Sequence, residues 1–207
     1  MTTLANLPVT TELEAVNAIL LATGESPVNA LTNEFDDGYL ARTLLTEETR
    51  RAQLYDWGFN TDEDYPLTRA ADGFVYLPRG TFRVVVFDKP EYVMRGNRIY
   101  DKSNRTFTFP ASTTITANIL RTYLPFEYLP DALKLYIVTR AGRRFQDQMG
   151  GDNVVHRFHK DDEYAAWSMA LNDEAEASQL NALDSSYLSY RLRAGRPRFG
   201  LDPYGRG

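Results

Sequence analysis

No cysteine occurs in the 207 residues, which excludes disulfides and thiolate metal sites alike. Histidine is nearly as scarce, with two residues, His156 and His159. Apolar runs end after a handful of residues, far short of the roughly 20 that a membrane-spanning helix requires. The opening MTTLANLPVTTELEAV has no basic stretch leading into an apolar core, so no signal peptide and no membrane partner are expected. There is no G-x-S-x-G elbow, no H-E-x-x-H helix and no glycine-rich phosphate loop ahead of a helix. Serine-nucleophile, zinc-protease and nucleotide-loop chemistries therefore lack their usual groups.

What is present is globular in composition. Hydrophobic residues make up 43% and aromatics 13%, enough to build a core. Thirteen tyrosines and eleven phenylalanines suit either that core or interfaces, where aromatics are enriched. The length fits one large domain or two small ones. Charge is unevenly placed. Residues 185–207 hold five arginines and one aspartate, a net +4, in a chain whose total is −5, which leaves about −9 on the rest. An acidic body argues against general nucleic-acid binding.

Periodicity divides the chain into helical and strand-like stretches. Thr11-Glu12-Leu13-Glu14 reads as a capping box opening a first helix, with Leu13, Val16 and Leu20 on one face and Gly24 at its end. A second helix is expected from Asp36 to Tyr55, burying Leu40, Leu44 and Tyr55 and stopping at Trp57-Gly58-Phe59-Asn60. From Tyr65 to Arg121 the pattern is β: a strand at Phe82–Phe87, then a hairpin around Arg95-Gly96-Asn97-Arg98. A turn at Lys102–Arg105 leads into the alternating Thr106–Phe109, and a strand follows from Thr114 to Leu120. After Pro130 the helical period returns, with Leu135, Ile137, Val138, Ala141, Phe145 and Met149 as its apolar face and Gly150-Gly151 as its stop. A fourth helix is expected over Asp161–Ala182, with Tyr164, Trp167, Leu171, Ala175 and Ala182 in one stripe and six acids elsewhere on it.

The fold class expected is α+β. A bundle of about four helices (1–60 and 122–184) carries an inserted small antiparallel β domain (61–121) and an extended C-terminal arm (185–207).

Few residues point to chemistry. His156 and His159 beside Asp161 and Asp162 contain zinc-type donors, but no third spacing converges on them, and no metal or cofactor is expected. The acid runs Asp36-Asp37, Asp62-Glu63-Asp64 and Asp161-Asp162-Glu163 suit solvated faces. Their alternative is a carboxylate pair of the glycosidase kind, in a hydrolase of cell-surface polysaccharide or peptidoglycan. No catalytic residue is assigned. Arg140, Arg143 and Arg144 share one helical sector, which reads as a solvated basic face or as an ion-pair seam. The acidic helix of such a seam belongs to the same chain or to a neighbouring copy, giving an inter-subunit basic face. The arm interleaves Arg191, Arg193, Arg196 and Arg198 with Tyr187, Tyr190, Phe199 and Tyr204, a composition for gripping an acidic protein partner or a phosphate backbone.

Four stretches in order, ELEAVNAILLATGESPVNAL (12–31), WGFN (57–60), RGNRIYD (95–101) and LPDALKLYIVTRAGRRFQ (129–146), resemble the tail tubular protein A family of T7-like podoviruses. The resemblance implies a structural virion protein, not an enzyme: a head-to-tail adaptor, or gatekeeper, with the fold expected above. It implies a homo-oligomeric ring, a dodecamer in the family, between the portal protein and the nozzle formed by tail tubular protein B. DNA passes through the bore of that ring without sequence-specific binding. It further implies a virion location after assembly in the host cytoplasm, and members that can be monomeric in isolation. The arm falls where the resemblance weakens.

Overall fold

The computed structural model describes residues 11–31, 36–149 and 153–181, without the side chains of 153–159 and 178–181. The described residues form an α+β fold of four α-helices and five strands in small antiparallel sheets. They fall into two compact units: a β unit, Asp56–Tyr128, and a helical unit made of the residues on either side of it. The expected arm at 185–207 lies outside the described residues.

In the helical unit, α1 (Glu12–Ala22) opens with the reciprocal capping bonds its sequence encodes. Thr11 Oγ1 accepts from the Glu14 amide at 3.2 Å, and Glu14 Oε2 accepts from the Thr11 amide at 3.1 Å. It closes in a Schellman turn. Gly24 takes φ +83°, its amide reaches the Leu21 carbonyl, and the Glu25 amide reaches Leu20. In α2 (Asp37–Ala52), Asp36 caps the Tyr39 amide, and Arg42 Nε donates to Glu12 Oε1 of α1 at 2.9 Å. Tyr55 falls beyond the end of α2, half-buried, with its ring edge-on to Trp167.

The third helix, α3 (Asp131–Gln148), touches α1, α2 and α4 (Asn153–Asn181), and so sits at the centre of this unit. Its buried face is Leu133, Tyr136, Ile137, Ala141 and Phe145. Leu135 and Met149, expected on that face, are about half exposed, because α3 is covered from several sides and its apolar sector is rotated from the sequence estimate. Helix α4 begins eight residues before the expected Asp161, so His156 and His159 lie in its first turns. Its buried stripe is Glu163, Ala166, Trp167 and Ala170, at spacing i, i+3, i+4, i+7. Tyr164 and Ala175, expected to be inside, are exposed. Each fully buried Leu, Ile or Phe in these faces contributes roughly 1.5–3 kcal/mol relative to exposure.

In the β unit, β1 (Thr61–Thr68), β5 (Thr114–Thr122) and β2 (Thr81–Val85) form one antiparallel sheet in that order. The hairpin β3 (Tyr92–Arg95) and β4 (Arg98–Asp101) forms a second, turning through Gly96 at φ +62°. Of its two loop residues only Gly96 has positive φ, the sign pattern of a II′ turn. The core is Leu67, Val75, Leu77, Val86, Ile99, Phe109, Ile115, Ala117 and Leu120.

Strand β1 has no counterpart among the sequence expectations. Asp62-Glu63-Asp64 and Pro66 disfavour a strand, yet as an edge strand β1 keeps those acids exposed while pairing along β5. The expected strand Thr106–Phe109 is not formed. Arg105 at φ +53° reverses the chain, one bridge joins Thr106 to Asp101, and the Phe109 amide bonds the Gly73 carbonyl instead. The expected strand end at Phe87 also moves, since β2 stops at Val85 and Phe87 is half exposed.

Candidate functional site

The densest arrangement of charge lies in the helical unit, where Glu48 of α2 and Glu163 of α4 face the arginines of α3. Both carboxylates are almost fully buried, at 1% and 3% side-chain exposure. Arg140 Nη1 donates to Glu163 Oε1 at 2.6 Å, and Arg143 Nε to Glu163 Oε2 at 2.6 Å. Arg144 Nη1 donates to Glu48 Oε1 at 2.7 Å, and Arg51 Nη1 to the same oxygen at 2.9 Å. Arg140 Nε sits 2.7 Å from Glu48 Oε2 as a charge contact without hydrogen-bond alignment.

At the rim, Arg144 meets Glu47 at 2.8 Å and Arg143 meets Asp147 at 3.2 Å. Four arginines thus meet four carboxylates, and α2, α3 and α4 are joined through one network. Arg140 also donates to Tyr136 Oη at 3.1 Å, and Tyr136 packs against Trp167. Burial pushes the Tyr136 phenol above its ordinary pKa. Burial opposes the charge on Arg140, but Tyr136, Glu48 and Glu163 hold its pKa above the ordinary value. Arg144 shows the same balance, with burial opposed by Glu47 and Glu48.

The structure therefore places Arg140, Arg143 and Arg144 together, paired within the chain, at 16%, 15% and 25% side-chain exposure. Sequence reasoning missed Glu48, and it left Glu163 either among solvated acids or, within Asp161–Glu176, on the acidic side of an ion-pair seam with these arginines, the arrangement seen here. The signal for Glu163 is its place on the stripe with Ala166, Trp167 and Ala170. Such a network lowers the cost of burying its own charges and fixes helix register. Both oxygens of Glu163 are held by guanidinium groups, and the exposed acids of the network, Glu47 and Asp147, lie at its rim.

The other acid runs are no closer to reaction chemistry. Asp36 caps α2, and Asp62, Glu63 and Asp64 are exposed on β1, with Asp64 Oδ1 accepting from Asn118 Nδ2 at 2.9 Å. Among the described residues no group of three or more His, Asp or Glu could hold a metal ion. The side chains of His156 and His159 lie outside the described residues. A groove of about 410 Å³ between α1, α3 and α4 is lined mainly by small and apolar side chains such as Ala18, Ala22, Gly142 and Ala165. Its one basic group, Arg143, is already engaged with Glu163. Among the described residues no helix is long and apolar enough to cross a membrane. The arm residues Tyr187, Tyr190, Arg191, Arg193, Arg196, Arg198, Phe199 and Tyr204 lie outside the described residues.

In the β unit, Arg121 is buried, donating to Asp56 Oδ1 and to Thr61 Oγ1, while Arg83 lies 3.6 Å from the same Asp56 oxygen. These pairs join β1, β5 and β2 beside Trp57, which with Asn60 is buried in the WGFN stretch. The arrangement is structural.

The sequence profile of the family described as tail tubular protein matches residues 13–180. The chain is 26% identical over 194 residues to tail tubular protein A of Klebsiella phage KP34, covering 91% of this chain and 98% of that protein.

Proposed function

The chain belongs to the tail tubular protein family, a structural protein of the phage tail, and from that premise we propose that it is the adaptor ring subunit of a short-tailed phage. In this reading a homo-oligomeric ring, a dodecamer, joins the portal protein to a nozzle of tail tubular protein B. It surrounds the DNA channel and helps to retain and conduct the genome. Assembly takes place in the host cytoplasm, and the mature location is the virion.

The observation that carries the reading is the match to a tail tubular protein A over 91% of this chain and 98% of that protein. The acidic body supports it, because like charge lets DNA slide where basic groups would hold its phosphates. The buried charge network supports it too, since it consumes polar chemistry in rigidity.

Residues 185–207 serve as a docking arm on the portal or an adjacent subunit. Arg191, Arg193, Arg196 and Arg198 supply carboxylate contacts, and Tyr187, Tyr190, Phe199 and Tyr204 supply apolar anchors. Any inter-subunit role of Arg140, Arg143 and Arg144 falls to the little surface they keep beyond their intrachain pairs. Electron microscopy of the chain mixed with purified portal particles tests the reading. A ring on the portal is expected, and failure to associate under any condition overturns it. A chain cut after Asp184 is expected to bind the portal about tenfold or more weakly, the equivalent of one strong charged contact.

A further inference from the structure

One face of the β unit is built for contact and has no cover within the unit. The segment Phe74–Leu77 runs beside β4, joined by the Tyr76–Arg98 bridge. Alternation sends Val75, Leu77 and Ile99 into the core, and Phe74, Tyr76, Arg98 and Tyr100 to the opposite side. There Arg98 Cζ lies 4.6 Å from the Phe74 ring centroid and 5.7 Å from those of Tyr76 and Phe107. Tyr100 meets Phe107 edge-on at 4.8 Å, and Arg95 Cζ lies 3.7 Å over the Tyr100 ring. The result is a continuous layer of four rings and two guanidinium groups.

The face is basic. Arg83 and Arg121 pair with Asp56, and among the described residues no ion pair involves Arg95, Arg98, Lys102 or Arg105. Two acids lie nearby, Asp72, which accepts from Tyr76 Oη and the Phe74 amide within the field of Arg98, and the buried Asp101, held by Ser103 and Asn104, so Arg95, Arg98, Lys102 and Arg105 outnumber them. Stacking orders the arginines in advance and leaves their N–H edges open to carboxylates, so little further entropy is lost on docking.

The unit's acid run lies elsewhere. Asp62-Glu63-Asp64 follows Thr61 at the start of β1, an edge strand bonded only to β5 in its sheet. Arg69, which bridges Val75 at the base of the basic face, follows Asp64 by five residues, about 16 Å of strand. One unit therefore carries unlike charges at separated places.

We propose that these are the two halves of a head-to-tail contact, in which the arginine–aromatic face centred on Arg95 and Arg98 docks on the Asp62-Glu63-Asp64 edge of a second copy of the chain. Contact between unlike patches is heterologous, and it repeats from copy to copy until it closes. The exposed acids on β1 also discourage indiscriminate strand addition there, leaving the edge to side-chain recognition. The proposal supplies the subunit interface of the ring and rests on that reading for closure.

Because the chain has no cysteine, introduced pairs report the contact directly. Chains carrying Asn97→Cys and chains carrying Asp62→Cys, mixed with portal particles and mildly oxidised, are expected to give disulfide-linked dimers that neither gives alone. Reversing the face with Arg95→Glu and Arg98→Glu is expected to weaken ring formation at least tenfold, and adding Asp62→Lys and Glu63→Lys to the same chain is expected to restore it. Rings visible by microscopy without the crosslink, or indifferent to the reversal, overturn this contact and leave the ring reading standing. Absence of any assembly by the unaltered chain overturns the ring reading, and the contact with it. Intact rings from a reversed chain that no longer binds duplex DNA would assign the face to nucleic acid and equally overturn the proposal.

Discussion

The two units hold themselves together by opposite means. The helical unit buries a charge network at its centre, with two carboxylates shared among four arginines of α2 and α3. The β unit keeps its centre apolar and, apart from the Asp56 pairs, places Arg95 and Arg98 on the outside, stacked on aromatic rings. Both use arginine as a planar, multiply bonding group, but in the first the partner is a buried acid and in the second a ring face. The difference decides where each unit is brittle. Removing one partner from a buried network strands a charge, whereas removing a stacked surface residue costs only its contact area.

That contrast can be broken most sharply at Glu163. Glu163→Ala leaves Arg143 without its buried partner, and is expected to cost about 3–5 kcal/mol in urea unfolding of the full chain. Hydrogen exchange should show the loss in α3 and α4 while the β unit stays protected. The reciprocal break is Ile99→Ala, which opens the apolar core and is expected to cost about 2–4 kcal/mol, with exchange rising in β3, β4 and β5. If either substitution loosens both units equally, the division of labour is wrong.

A finer test is Thr11→Ala, which removes the capping box at the start of α1. An expected loss of about 1 kcal/mol should appear as a lower urea midpoint. The smallest effect concerns acid. The Asn104 amide, aided by the Asn104 side chain and the Ser103 amide, holds the Asp101 carboxylate below its ordinary pKa, against the opposing effect of burial. Its contribution is complete above the ordinary aspartate value and is lost as pH falls through the lowered one. Asp101→Asn should flatten that part of the acid titration of the β unit, read by its fluorescence. No comparable change is expected in the helical unit at the same pH.

What was legible in the sequence is what local chemistry decides. The Thr11–Glu14 box, the Gly24 stop and the Gly96 turn are set by residues within a few positions of one another, and each appears where expected. The helix–strand–helix order was equally clear from the change of period. What failed depends on distant partners. Glu163 looks like one more surface acid until α3 supplies two guanidinium groups, and β1 looks like a polar loop until β5 supplies its hydrogen bonds. Thr106–Phe109 has the alternation of a strand but no neighbour to pair with along its length. The network site was half legible: Arg140, Arg143 and Arg144 stand out as a sector, but nothing near them in sequence names Glu48.

The pairing of β1 with β5 bears on the order in which the chain folds. Thr61 and Arg121 lie opposite each other although they are sixty residues apart. Closing a flexible loop of that length costs on the order of 3–4 kcal/mol in chain entropy. The β unit, which carries its own core, can meet that cost internally. Once it has zipped, the strands leading in and out of it are neighbours about 5 Å apart. For α3, which follows the insertion and must find both α1 and α2, the search is then over a short tether instead of a long coil. The insertion acts as a clasp fastened before the bundle closes, so destabilising its β1–β5 ladder should slow the folding of helices it never touches in sequence.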